Sequence, residues 1–178
     1  YAILKNKNCI LAMDIGNSPQ KNFSQNYQSG ALSFEFFYKD KKLISNSGYF
    51  QDYKNKLNLI SKSTAAHSAL IIDNHSSCSF RNNGNYKTLE NGLKISDKNI
   101  VNEKNYWLIK ASHNGFLKKF GILHERSLEY FVEKNKLIGT DKIISKNKLD
   151  PKKYDIRFHM EPGVKLTKTL DNKTILIE

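Results

Sequence analysis

The groups best suited to chemistry in this 178-residue chain are five histidines, His67, His75, His113, His124 and His159, and three arginines, Arg81, Arg126 and Arg157. An imidazole titrates near neutrality and can carry protons. A guanidinium grips a carboxylate through two parallel N–H bonds. No pair of histidines has an HxH or HExxH spacing, and no GxSxG, GxGxxG or P-loop motif occurs. Serine-nucleophile chemistry and a nucleotide cofactor are therefore not indicated. His124 and Arg126 are two residues apart, and His113 precedes the turn-forming Asn114-Gly115.

The elements that must position these groups read as strands, because the hydrophobic period is two rather than 3.6. In Phe120–Tyr130 one face carries Phe120, Ile122, His124, Arg126, Leu128 and Tyr130. A charge on so apolar a face must be paired within the fold or line a groove. In the strand expected at Tyr154–Met160 the faces are Ile156, Phe158 and Met160 against Arg157 and His159. Further strands are expected at Tyr1–Lys5, Asn8–Met13, Ala31–Tyr38, Leu43–Ser45, Ala69–Asp73, Tyr86–Glu90, Leu93–Ser96, Tyr106–Ser112, Lys136–Ile144, Val164–Lys168 and Thr174–Ile177. Turn residues separate them, among them Asn82–Asn85 and Asp171-Asn172. Asn91-Gly92 predicts a hairpin joining Lys87–Glu90 to Leu93–Ile95. Ser61–His67 offers one short helical turn, and Gly16–Gly30 and Gly48–Lys62 read as loops. The fold class expected is all-β, an antiparallel multi-stranded β-sandwich with little helix, forming one domain over residues 1–178.

The formal net charge is +12, from 29 Lys plus Arg against 17 Asp plus Glu. Of the cations 26 are Lys, and the chain holds 20 Asn, a usage that AT-rich coding alone would give. The charge therefore reads either as a solvated lysine surface or as a field that attracts a polyanion. No nucleic-acid-recognition motif is present, and nucleic acid is not expected as a partner. No apolar run approaches the ~18 residues of a membrane helix, so no membrane insertion is expected. Cys9 and Cys78 form no metal-type pair. The loop Gly48–Lys62 carries Tyr49 and Tyr53 among lysines, a composition that stacks on sugar rings or folds back on a sheet.

Five stretches, in order, resemble the heparinase II/III-like polysaccharide lyases. Ser63-Thr64-Ala65-Ala66-His67-Ser68-Ala69-Leu70-Ile71-Ile72-Asp73 resembles the family's ST-x-AHNTL-x-VD signature. Leu32–Glu35 through Lys42–Gly48 resembles the hairpin before it, which in the family ends in a D-x-G turn. Ala111–Phe116 resembles A-x-HDGY, His124–Leu128 resembles H-x-R-x-L, and Arg157–Gly163 resembles RFHLHPG. In that family a helical toroid precedes a β-sandwich. The resemblance implies that this chain is the C-terminal sandwich, with the toroid as its missing partner domain.

The resemblance further implies β-elimination on acidic, uronate-containing polysaccharides by a bacterial parent, in the periplasm or the cytoplasm. A non-catalytic carbohydrate-binding or structural sandwich is the alternative. His113, His124 and Arg126 are then the catalytic candidates, and Arg157, His159, Tyr49 and Tyr53 the substrate-binding ones. Family members often hold zinc through an upstream HxH-like element, the Asp of the D-x-G turn and the His of the AHN motif. Only the last is matched, by His67, the one candidate metal ligand. Asn46 takes the Asp position, and Gln25–Gly30 contains no His. No cofactor is expected, and the domain alone is expected to be inactive.

Overall fold

The computed structural model describes residues 1–84, 86–146, 151, 153–171 and 173–177. Asn85 and Asn172, which close two of the expected turns, lie outside the described residues. Among the described residues the strands are β1 (Ala2–Lys5), β2 (Cys9–Met13), β3 (Phe34–Tyr38), β4 (Lys41–Ser45), β5 (Leu70–Ile72), β6 (Ser79–Asn83), β7 (Tyr86–Asn91), β8 (Ile95–Asn102), β9 (Tyr106–His113), β10 (Ile122–Phe131), β11 (Lys136–Ser145), β12 (Tyr154–Ile156), β13 (His159–Met160), β14 (Leu166–Lys168) and β15 (Ile175–Ile177). Two short helices interrupt them, α1 (Lys56–Lys62) and α2 (Leu117–Phe120).

The all-β sandwich expected from the sequence is what forms. One sheet runs β1-β2-β3-β4-β13 and the other β11-β10-β9-β8, with every pairing antiparallel. Alternation explains why they stack. Ala2, Leu4, Leu11, Met13, Phe34 and Phe36 of the first sheet meet Trp107, Ile109, Ala111, Leu128 and Tyr130 of the second in one buried core. The Phe36 and Tyr130 rings sit 5.9 Å apart between the layers. A smaller core joins Leu70 and Ile72 to Phe116, Phe120 and Ile122. Burying alternate residues of two sheets is the main stabilising term in such a fold. Both cysteines are buried and free. No helix among the described residues is long and apolar enough to cross a membrane.

Four expectations are corrected. Asn91-Gly92 closes no hairpin: β7 pairs with β6, whereas β8 pairs with β9. Gly92 is required by crowding, since a Cβ there would lie 2.3 Å from Ser18 Oγ and 2.8 Å from Leu89 Cδ2. The chain passes from one sheet to another at this point, and Ser18 Oγ pins it by accepting from Leu93 N at 2.8 Å. Gly48–Lys62 is not all loop, because Asn55 caps α1 by accepting from Leu57 N. Phe120 ends α2 rather than starting a strand, and Gly121 follows in the left-handed region at φ 68°. Tyr154–Met160 is not one strand. Its first half pairs with β5 and its second with β4, so alternation fails between them, and Ile156 and Phe158 are exposed.

Candidate functional site

The second sheet sets its polar groups directly opposite one another. In the β9–β10 register His124 faces His113, and in the β10–β11 register Arg126 faces Asp141. All four belong to one hydrogen-bonded chain. Gly115 N donates to His113 Nδ1 at 3.0 Å, and His113 Nε2 lies 3.0 Å from His124 Nδ1. His124 Nε2 lies 2.6 Å from Asp141 Oδ1. Arg126 donates from Nε to Asp141 Oδ1 at 2.8 Å and from Nη2 to Oδ2 at 3.0 Å, a bidentate grip. His113, His124 and Arg126 are 0–1% exposed.

Because the Gly115 N–H points into His113 Nδ1, the His113 proton sits on Nε2. It is donated to His124 Nδ1, so the His124 proton sits on Nε2 and is donated to Asp141. Both imidazoles are neutral in this arrangement. The energetics agree. Burial holds His113 well below the ordinary histidine range, with repulsion from His124 and Arg126 adding to it. Burial also lowers His124, against the opposing pull of Asp141. For Asp141 burial acts upward, but the hydrogen bonds from His124 and Arg126 outweigh it and hold the carboxyl at about 2.

Arg126 ties this chain to the other layer. Its Nη1 donates to Leu32 O at 2.9 Å and Ser68 O at 2.7 Å, and its guanidinium lies 5.6 Å from the Phe34 ring centroid. Leu32 is fully buried with φ 58°, a left-handed conformation that costs a non-glycine residue about 1–3 kcal/mol. Its backbone is held from both ends: Leu32 N donates to Asp14 O, and Leu32 O accepts from Arg126. The tight turn over Gly30–Ser33 thereby fixes the floor beside His67. A Cβ on Gly30 would come within 3.3 Å of the His67 ring.

His67 opens into a cleft of about 530 Å³, which Asp14, Tyr27, Gln28, Glu35 and Asn46 also line. It is 3% exposed, and its Nε2 has no hydrogen-bond partner among the described residues. Burial pushes the imidazole down to about 4, opposed in part by a hydrogen bond with the Ser61 backbone. The Nε2 atom is itself shut off from solvent. The two carboxylates of the cleft differ in their partners. Glu35 pairs with Lys42 at 2.9 Å, and burial raises the Asp14 carboxyl.

The donor set around His67 does not suit zinc. Asn46 offers an amide rather than a carboxylate. Its Oδ1 is already taken by Ser68 N at 2.9 Å, and its Nδ2 is turned to Glu35 at 3.5 Å. No group of three or more His, Cys, Asp or Glu able to hold a metal occurs among the described residues.

Of the remaining sequence candidates, Tyr49, Tyr53 and His159 lie near the cleft and Arg157 does not. Tyr49 Oη and Tyr53 Oη both donate to Asn26 Oδ1, at 3.1 and 3.4 Å, and Asn26 lines the cleft. His159 Nε2 lies 2.9 Å from Ala65 O, beside His67 in sequence, and Arg157 is exposed. His113, His124 and Arg126 come together; Arg157 joins neither them nor the cleft lining.

Two residues escaped the sequence reading. Asp141 completes the buried chain; a four-residue connection between β10 and β11 would have placed it opposite Arg126. Lys62 is fully buried under the cleft rim, where its ammonium donates to Gln25 O and Tyr27 O. Burial lowers it to about 8. A lysine beside the ST-x-AH stretch carried no signal of burial in so lysine-rich a chain.

No curated protein sequence matches the chain. A family profile described as "Heparinase II/III-like, C-terminal" matches residues 1–178. Several solved structures share the fold. A heparinase III with methylated lysines superposes with TM-score 0.70 at 16% identity, over 96% of this chain and 23% of that one. A second heparinase III gives 0.64 at 16% identity, over 97% and 25%. A mutant of the heparan sulfate lyase HepC from Pedobacter heparinus gives 0.57 at 17% identity, over 77% and 19%. At such identities the likeness is one of fold, and the chain spans a quarter or less of each solved chain.

Proposed function

The chain belongs to the heparinase II/III-like C-terminal family, and we propose that it is the β-sandwich of a polysaccharide lyase acting on uronate-containing polysaccharides. In β-elimination a base removes the C5 proton of the uronate. That electron pair forms the C4–C5 double bond, and the bond to O4 breaks as an acid protonates it. Neutralising the uronate carboxylate makes the C5 proton acidic enough to leave. In this reading the sandwich supplies one wall of the substrate cleft, and a helical domain supplies the other, with the rest of the acid–base set.

The observation that carries this is the cleft beside His67, about 530 Å³ and of saccharide size, whose lining offers hydroxyl, amide and carboxylate groups for hydrogen bonds to sugar hydroxyls. Asn26 and Gln28 add amide side chains to that lining, groups of the kind that pair with sugar hydroxyls. His113, His124 and Arg126 act here as positioning residues, since no substrate atom reaches side chains so fully buried. They hold Leu32 and Ser68, and so the backbone on either side of the cleft floor. No step is assigned to a metal, because no group of three or more His, Cys, Asp or Glu gathers beside His67 among the described residues.

The same burial favours a second reading, a saccharide-binding sandwich with no catalytic part. One experiment addresses both. The 178-residue chain is mixed with uronate polymers, and binding is followed together with the ultraviolet absorbance of the 4,5-unsaturated product. Saturable binding without product is expected. Turnover by the chain alone would overturn the division of labour, and no binding above that of salt-screened ion exchange would overturn the polysaccharide reading.

A further inference from the structure

A second pocket, of about 400 Å³, shares no lining residue with the His67 cleft. Its walls are His75, Ser76, Ser79, Asn91, Lys118 and Lys119, over a floor that includes the buried Cys78 and Phe116. No carboxylate lines it. Its hydrogen bonding is one-sided. Ser76 Oγ accepts from Thr64 N at 3.0 Å, and Ser79 Oγ accepts from Asn91 Nδ2 at 2.7 Å. Both serines thus use their oxygens as acceptors and retain their O–H donors. Lys118 Nζ donates to Asn91 Oδ1 at 3.0 Å, and Lys119 Nζ donates to His75 Nε2. Each ammonium has two further N–H donors, and neither stands in a salt bridge among the described residues. His75 cannot take the charge away, because its Nδ1 lies 2.7 Å from Asp73 O and so carries the proton.

A concave site with two uncompensated ammonium groups, two spare hydroxyl donors and no carboxylate is complementary to a tetrahedral oxyanion. We propose that this pocket binds the sulfo group of a sulfated saccharide, as an anchoring contact separate from the cleft. The saccharide source rests on the polysaccharide reading above; the oxyanion chemistry does not. The 3-10 turn Thr64–Ala66 runs between the two sites, touching Ser76 on one side and leading into His67 on the other.

The test uses the 178-residue chain, with sodium sulfate titrated against sodium chloride at constant ionic strength and amide NMR shifts as the readout. Saturable shifts are expected at residues 75–79 and 115–120 and not at Gln28 or Gly48. The double variant Lys118→Ala, Lys119→Ala, both surface residues, is expected to weaken sulfate binding at least tenfold. Shifts that follow ionic strength alike in both salts, or that survive the double variant, would overturn the site. A sulfated and an unsulfated polyuronate then separate the sources. The double variant should lower affinity several-fold for the sulfated polymer and leave the other unchanged; equal affinities of variant and parent for the sulfated polymer would overturn the saccharide assignment. Sulfate bound in the pocket with neither polymer bound would overturn the polysaccharide reading and support the oxyanion site alone.

Discussion

His113 donates a hydrogen bond from Nε2–H to His124 Nδ1 across 3.0 Å, between facing residues of two neighbouring strands. Each ring has one donor and one acceptor, and both are used, so an added proton finds no acceptor within the chain. Protonation must break it. His113 and His124 are held below the usual histidine range, and His67 is held at about 4. Near neutral pH both folded and unfolded states keep these rings neutral. Below the unfolded value of about 6.5 the unfolded chain binds protons that the folded one refuses, so stability falls with pH. Each withheld proton is worth about 1.4 kcal/mol per pH unit. Denaturant midpoints measured between pH 7 and 4.5 should drop steeply, and His124→Gln should flatten that slope by about one proton. A midpoint independent of pH in this window would refute the neutral chain. Asp141, held at about 2, adds stability above its unfolded value near 3.8, lost only as pH falls through about 2.

Arg126 and Asp141 form a buried pair whose members depend on each other. Removing one leaves a charge without a partner in the interior, which costs about 3–5 kcal/mol. Asp141→Asn and Arg126→Met should each lose that much in urea unfolding. Arg126→Lys should recover little, because a lysine cannot reach Asp141, Leu32 O and Ser68 O together. Arg126→Met combined with Asp141→Leu should be more stable than either single variant. Simple additivity of the two losses would contradict the coupling.

Gly92 carries a prediction against the turn signal of its own sequence. Were Asn91-Gly92 a hairpin turn, Gly92→Ala would be costly through its backbone angle alone. Here the cost comes from Ser18 Oγ at 2.3 Å and Leu89 Cδ2 at 2.8 Å from the new Cβ. An overpacked contact of this kind costs about 1–3 kcal/mol. Ser18→Gly should relieve part of the loss in the double variant, measured by thermal unfolding. No relief would mean that the backbone, not the contact, sets the cost.

These residues also mark how far a sequence reading reaches. The face shared by Ile122, His124, Arg126, Leu128 and Tyr130 was legible because a long regular strand enforces alternation. The demand that Arg126 be paired followed from that face. Its partner was not legible, because register is set by loop length and not by strand composition. His113 and His124 are eleven residues apart, with α2 between them, and the helical turn hid their opposition. Asn91-Gly92 misled because a glycine chosen for close approach has the same letter as one chosen for a left-handed turn. Tyr154–Met160 misled because one apolar alternation was shared between two sheets.

His67 separates a ligand-binding role from a structural one. Replacing it with Ala removes an imidazole whose Nε2 the fold does not use, while replacing His124 breaks a chain that the fold does use. If the cleft takes a saccharide, His67→Ala should reshape its wall and lower affinity for a uronate polymer about five- to tenfold, ~1 kcal/mol or slightly more. Its acid sensitivity should also decrease, since one refused proton is gone. His124→Gln should change stability and its pH slope more than it changes affinity under conditions where the variant stays folded. The decisive comparison is the ratio of the two effects. A His67→Ala variant that binds as the parent does while losing stability would make His67 a packing residue.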